Sequence, residues 1–121
     1  MDPKQELSSL IETAVRENGS DIHIGVGRFP SIRVTGELVP LVKHTPHTKE
    51  MVFGIISELL LNNEKKINDF MENQEVDFSF DYQGTARLRG NAFFTKGNIG
   101  IALRLIPKVR TLADLSLPPI L

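Results

Sequence analysis

Apolar residues recur at helical spacing in three segments of the chain. The first segment, residues 3–17, follows Asp2-Pro3, a typical helix cap and first-turn proline, and ends at Asn18-Gly19. The second runs to Leu60, and we interpret Thr45-Pro46 as its cap and first-turn proline. The third, residues 64–71, is capped by Asn62-Asn63. The pattern therefore predicts three amphipathic helices.

Elsewhere apolar and polar residues alternate, which is typical of half-buried strands. The pattern predicts strands at residues 21–26, 76–82, 87–94 and 99–106, and a hairpin of residues 32–34 and 38–42 that turns at Thr35-Gly36-Glu37. Three helices grouped with antiparallel strands indicate an α+β fold in which the helices pack on one face of the sheet.

Turn length predicts which residues of the last three strands face one another. A turn centred on Lys96-Gly97 places Arg89 opposite Arg104. A three-residue loop at residues 83–85 places Asp81 opposite Arg87, and we expect these two side chains to form a structural ion pair.

Arg89 and Arg104 are thus predicted to lie side by side, and like charges at directly opposed positions destabilise a sheet. Guanidinium groups are the usual partners of phosphate and carboxylate, so one interpretation is that the two arginines bind an anion. The other interpretation is a solvated ladder of charges on an open sheet face, where each pair contributes little.

Composition fits one soluble domain. The chain has 121 residues, 40% of them hydrophobic and 24% charged. The absence of cysteine excludes disulfides and thiolate zinc sites. No apolar window approaches the roughly 18 residues that cross a bilayer, and the acidic start is unlike a signal peptide. We therefore expect a cytoplasmic protein that does not span the membrane.

The near-neutral net charge of −1 hides an uneven distribution. Residues 1–81 carry 14 acidic and 8 basic side chains, whereas residues 82–113 carry six basic and no acidic ones. Phe93 and Phe94 lie within this basic segment, so a single-strand nucleic-acid binder is a third possible class. A pI of about 6.3 and the absence of an RNP-like signature argue against it, and we expect no nucleic-acid partner.

Motifs for catalysis are absent from the 121 residues. There is no GxxxxGK[ST], no GxGxxG followed by a helix start and no HExxH. His44 and His47 bracket a proline, which disfavours a preformed metal pair, and we expect no metal site. For His23 we expect a structural hydrogen bond to Asp21 or a neighbouring strand. The sequence therefore predicts no catalytic residue and no cofactor in this part of the protein.

Five ordered motifs resemble the amino-terminal domain of the PilT family, the type IV pilus retraction ATPases, which are relatives of the type II secretion ATPases. They are Gly19-Ser20-Asp21-Ile22-His23-Ile24, Pro30 to Leu38, Val76 to Phe80, Ala86 to Asn91, and Leu103 to Pro107. Together they cover essentially the whole chain.

The resemblance implies that residues 1–110 form a PAS-like amino-terminal domain and that residues 111–121 begin a linker toward a RecA-like ATPase domain. In such proteins the domain couples ATP hydrolysis to pilus retraction, which drives twitching motility. By motif position Arg89 and Arg104, with Arg87 as a third, would contact nucleotide phosphate.

The same resemblance implies the partners of the full-length protein. They are ATP and Mg²⁺, RecA-like domains of the same and neighbouring subunits in a homo-hexamer, and a platform protein at the inner membrane, to which the cytoplasmic motor would be peripheral. The alternative left open is a freestanding PAS-like sensor or adaptor that binds an anionic ligand or a protein and hydrolyses no ATP.

Overall fold

The computed structural model describes residues 2–84 and 86–106. It contains three helices and six strands in the order α1 (Pro3–Arg16), β1 (Asp21–Gly25), β2 (Ser31–Val34), β3 (Glu37–Pro40), α2 (Lys49–Leu59), α3 (Glu64–Asn73), β4 (Glu75–Tyr82), β5 (Ala86–Thr95) and β6 (Asn98–Ile106). The predicted α+β fold is confirmed. The end of the predicted PAS-like domain, residues 107–110, and the predicted linker, residues 111–121, lie outside the described residues.

The strands form one antiparallel sheet in the order β3-β2-β1-β6-β5-β4. The chain passes from β3 at one edge to β4 at the other through α2 and α3, so the first and last strands, β1 and β6, become neighbours in the centre. Apolar residues of the helices and of one sheet face form a single core, whose largest fully buried side chains include Phe70, Leu10, Ile11, Ile55, Leu88, Ile101 and Leu103. No helix of the described residues covers the opposite sheet face, which we call the open face.

Among the described residues, no helix combines the length and the apolar character needed to cross a membrane.

The start of α1 follows the predicted capping chemistry. Asp2 has an extended backbone and its Oδ1 accepts a hydrogen bond from the Gln5 backbone N–H at 2.8 Å, while Pro3 occupies the first helical turn. The buried positions of α1 include Leu7 and Leu10, as the helical period predicts, and also one charged residue, Glu6.

The first hairpin is tighter than the sequence indicated. Val34 pairs with Glu37, so Thr35 and Gly36 alone form the turn, and both have positive φ, 48° and 85°. Two consecutive residues with positive φ match the twist of the flanking strands. The prediction that Glu37 belongs to the turn is therefore wrong, and β3 ends at Pro40 rather than at residue 42.

The predicted cap of α2 is also wrong. Thr48 is the N-cap residue, and its Oγ1 accepts a hydrogen bond from the Met51 backbone N–H at 3.1 Å. Thr45 and Pro46 precede the helix in a loop that is joined to the loop after β1. There the His47 N–H donates to the Arg28 carbonyl at 3.0 Å, and the Gly27 N–H donates to the His47 carbonyl at 2.8 Å.

This correction has a measurable consequence. We expect Thr48→Ala to lower the free energy of unfolding by about 1 kcal/mol, because the Met51 N–H loses its acceptor. Thr45→Ala is the matched control, and we expect a change below about 0.5 kcal/mol. Urea unfolding of both variants measures the difference, and equal losses would contradict the assignment of the cap.

The predicted register of the last three strands is confirmed. Arg89 pairs with Arg104 and Asp81 with Arg87, and Tyr82 pairs with Ala86, as the predicted register requires. Alternation along these strands places apolar side chains on the helix-covered face and charged side chains on the open face.

Tyr82 at the end of β4 is anchored to α1. Its hydroxyl donates a hydrogen bond to Glu12 Oε2 at 2.6 Å, and the residue packs against the core with 6% of its surface exposed. This hydrogen bond, followed by burial, raises the pKa of the Tyr82 phenol above its usual value. The contact joins the start of the chain to the edge strand.

Because Tyr82 is the chain's single tyrosine, its ionisation can be followed directly by ultraviolet absorbance. We expect the titration midpoint to lie above the usual value near 10 and to fall in Glu12→Gln, which loses the carboxylate. A pKa raised in the folded state means that the unfolded state ionises first, so the free energy of unfolding should decline above about pH 10. An unchanged midpoint in Glu12→Gln would contradict the contact.

Candidate functional site: an arginine rung across the open sheet face

Five residues from five strands lie in direct register across the open face of the sheet. From β2 to β4 they are Arg33, Asp21, Arg104, Arg89 and Ser79, each paired with the next. We call this set the arginine rung. Three guanidinium groups face one carboxylate, so the rung carries a net charge of +2. Directly opposed side chains lie about 5 Å apart at Cβ, so neighbouring members of the rung can interact.

Asp21 lies between two of the arginines. Its Oδ1 is 3.4 Å from Arg104 Nε and its Oδ2 is 3.7 Å from Arg33 Nε. The Ser20 hydroxyl also donates a hydrogen bond to Asp21 Oδ2 at 2.7 Å. The carboxylate is only 17% exposed, whereas the Arg104 side chain is 75% exposed. Arg104 therefore extends into solvent while Asp21 stays close to the sheet.

Arg89 differs from its neighbours in the rung. It is exposed on the open face, with Arg104 opposite on one side and the uncharged Ser79 on the other. Asp77 lies two residues before Ser79 on β4. Its Oδ1 accepts a hydrogen bond from Asn91 Nδ2 at 2.8 Å rather than from Arg89. Within residues 2–84 and 86–106, no carboxylate lies within ion-pair distance of Arg89. The side chain remains available for an anion from outside.

Arg87 lies outside the rung, two residues before Arg89 on the same strand. The register sets it opposite Asp81 on β4 and Ile106 on β6. The pairing of these positions is as the sequence predicted, and the ion pair of Arg87 with Asp81 stays a prediction.

The sequence did not reveal two members of the rung, Asp21 and Arg33. Asp21 meets Arg104 because β1 lies beside β6, a pairing of residues 83 positions apart. Turn lengths carry no information on such a contact. The available signal was that Asp21 and Arg33 both lie on the polar side of predicted strands whose apolar residues alternate with them.

His44 and His47 form a second polar cluster with Glu6 of α1. Glu6 Oε2 is 2.6 Å from His47 Nε2 and 3.0 Å from His44 Nδ1, so one carboxylate holds both rings. Across the described ranges there is no group of three or more side chains arranged to hold a metal ion. Residue exposures of 5% for Glu6 and 3% for His47 indicate that the cluster fixes the loop before α2 to α1.

The prediction for His23 is wrong. Its side chain makes no hydrogen bond to any of the described residues, because Asp21 is already engaged by Ser20, Arg33 and Arg104.

The two adjacent phenylalanines have separate packing roles. Phe94 contacts Phe70 of α3 with ring centroids 5.2 Å apart, so it belongs to the core as predicted. Phe93, on the open face, lies against Gly100, where an added Cβ would approach Phe93 Cε2 to 2.9 Å. One side of the Phe93 ring is thus covered by the sheet itself, which reduces the surface available for stacking a nucleic-acid base.

The fold is an α+β domain consistent with the PAS-like type, and the open face of its sheet carries the arginine rung. No protein-family model matches the sequence. Among curated proteins, the type IV pilus ATPase PilU of Pseudomonas aeruginosa is 36% identical over 121 residues, covering 96% of this chain and 30% of its own length. The retraction ATPase PilT of the same organism is 34% identical over 113 residues, covering 93% of this chain and 32% of its own length.

The crystal structure of the pilus retraction motor PilT with bound ADP has the same fold. It superimposes with a TM-score of 0.72 at 32% identity, covering 89% of this chain and 31% of that one. The chain belongs to the PilT family of type IV pilus ATPases, whose amino-terminal domain it fits. It spans about a third of the length of the curated relatives it matches.

Proposed function

We propose that the chain is the amino-terminal coupling domain of a hexameric type IV pilus retraction ATPase, the motor of twitching motility. In this proposal Arg89 and Arg104 contact the phosphates of a nucleotide held by the ATPase domain. Arg87 is a third candidate on the same open face. The 121 residues alone would neither hydrolyse ATP nor bind a metal or cofactor.

The observation that carries the proposal is the direct pairing of Arg89 with Arg104 within a rung of net charge +2. Two guanidinium groups side by side repel each other, and a phosphate between them replaces this repulsion with two charge-assisted hydrogen bonds. Both side chains are exposed on a face that no helix of the described residues covers. The relative PilT has been crystallised with ADP, which supports a nucleotide as the source of the phosphate.

The proposed role of the arginines in a motor rests on their placement on neighbouring strands of one sheet. Contacts that form with the terminal phosphate and are lost after its release would couple the nucleotide state to the orientation of this domain. The RecA-like domains of the same and neighbouring subunits would supply ATP and Mg²⁺ binding. The assembled motor would be cytoplasmic and would act on a platform protein at the inner membrane.

The coding sequence beyond Leu121 tests this proposal. We expect a GxxxxGK[ST] motif within the following domain, because the chain itself has no phosphate-binding loop. A stop codon directly after Leu121 would contradict the motor role. The arginine rung would then favour the alternative function, a freestanding PAS-like sensor or adaptor that binds an anionic ligand or partner.

A further inference from the structure

Asp21 is the one carboxylate in the arginine rung, and its contacts are unequal. Arg33 is held in place twice, by Asp21 and by a hydrogen bond from its Nη1 to the Gly36 carbonyl at 3.0 Å. Arg104 makes one contact to Asp21, at 3.4 Å, and no other to the described residues. A lone ion pair from a side chain that is 75% exposed contributes little to stability. The Arg33 side chain is 3.7 Å from Asp21, which is no closer, but it is only 40% exposed and has Gly36 as a second partner. Arg104 is therefore the partner that leaves most easily.

The departure of Arg104 would not leave Asp21 isolated. The carboxylate would keep the 2.7 Å hydrogen bond from the Ser20 hydroxyl and the nearby Arg33 guanidinium. Removing the sole partner of a buried charge is costly, but Asp21 has three partners and loses one. The free energy of this exchange is correspondingly small.

We propose that Asp21 is the resident counter-ion of the arginine rung and that an incoming phosphate displaces it from Arg104. This inference rests on the proposed function, because it takes Arg89 and Arg104 as the phosphate ligands. Without ligand, Asp21 neutralises Arg104 and holds its side chain toward β1. With phosphate, Arg104 turns toward Arg89, and Asp21 stays with Arg33 and Ser20. Asp21 is thus a positioning residue that sets the anion affinity by competition.

Because Asp21 competes with phosphate for Arg104, removing the charge of Asp21 while keeping the size of the side chain should strengthen the binding of phosphate. We expect Asp21→Asn to bind inorganic tripolyphosphate about tenfold more tightly than the unaltered chain, measured by isothermal titration calorimetry in low-salt buffer. Asparagine keeps an acceptor for the Ser20 hydroxyl but no charge to compete for Arg104. Damage to the fold would weaken binding, so a purely structural role for Asp21 would not give this result.

The matched control is Asp69→Asn, which changes net charge equally but lies on α3, where Asp69 pairs with Lys65. We expect it to change the affinity less than twofold. If Asp21→Asn binds no more tightly while Arg89→Ala and Arg104→Ala both bind more weakly, the counter-ion role is wrong and the phosphate role stands. Two results would contradict both the counter-ion role of Asp21 and the phosphate role of the arginines. One is that tripolyphosphate binds none of the chains, and the other is that it binds the arginine variants with the same affinity as the unaltered chain.

A second measurement uses the unaltered chain and needs no variant to fold. In a titration with tripolyphosphate followed by arginine Nε–H resonances, we expect the Arg104 signal to shift and the Arg33 signal to stay. If the Arg89 signal shifts while the Arg104 signal does not, Asp21 keeps Arg104 as its partner and the proposed displacement is wrong.

Discussion

Replacing Arg104 with alanine in the full-length protein is expected to lower the rate of ATP turnover about a hundredfold while the ring stays assembled. The reason is that removing one preorganised donor to a developing phosphate charge costs about two to three orders of magnitude in rate. Arg104 is 75% exposed and contacts only Asp21 among the described residues, so its loss should not unfold the domain. Steady-state ATPase assays together with size-exclusion chromatography measure turnover and assembly on the same sample.

Arg16→Ala is the control for this experiment. Arg16 is exposed at the end of α1 and forms an ion pair with Glu17, so the variant removes an arginine that is not part of the rung. We expect its turnover to match that of the unaltered protein. Unchanged turnover of Arg104→Ala in an intact ring would contradict the phosphate contact.

Replacing Glu6 with alanine is expected to lower the free energy of unfolding by about 3 kcal/mol, because the imidazoles of His44 and His47 both lose their hydrogen-bond partner. The carboxylate is the shared partner of His44 and His47, and the His47 side chain is only 2% exposed. Total stabilities of small domains are about 5–15 kcal/mol, so this loss is a large share. Urea unfolding of the variant and the unaltered chain measures the loss of stability, provided that the two m-values are equal.

Glu17→Ala is the matched substitution at the end of the same helix. Glu17 is 55% exposed and its ion pair with Arg16 spans 3.7 Å, so we expect a loss below about 0.5 kcal/mol. Losses of the same size in both variants would show that the histidine cluster does not anchor the loop before α2.

Local patterns were sufficient to predict the hairpins on which the site is built. The positions of Phe80, Leu88 and Ile101 on one face, and the short turn at Lys96-Gly97, were enough to bring Arg89 opposite Arg104. Register in a hairpin is a local property, because a shift by one residue would move every apolar side chain to the open face.

Contacts between distant segments could not be predicted in this way. The neighbour of Arg104 on its other side, Asp21, is set by which strand lies beside β6, and that depends on the path of the chain through α2 and α3. The burial of Glu6 is hidden for a similar reason. A glutamate at this position of α1 would be predicted to face solvent. Its carboxylate is buried because the loop that carries His44 and His47 packs against it.

The cap of α2 shows the limit of a local motif. Thr45-Pro46 satisfies the usual pattern for a helix start, yet the backbone of residue 47 forms a bridge with Val26 and cannot also be helical. Tertiary pairing therefore moves the start of the helix to Lys49, with Thr48 as a second threonine of equal capping ability.

The most direct test is a structure of the full-length protein with a non-hydrolysable ATP analogue. The measured quantity is the distance from the guanidinium nitrogens of Arg89 and Arg104 to the nearest phosphate oxygen. We expect about 2.7–2.9 Å for at least one nitrogen of each side chain, the range of charge-assisted hydrogen bonds. Both guanidinium groups facing solvent beside an occupied nucleotide site would contradict the account.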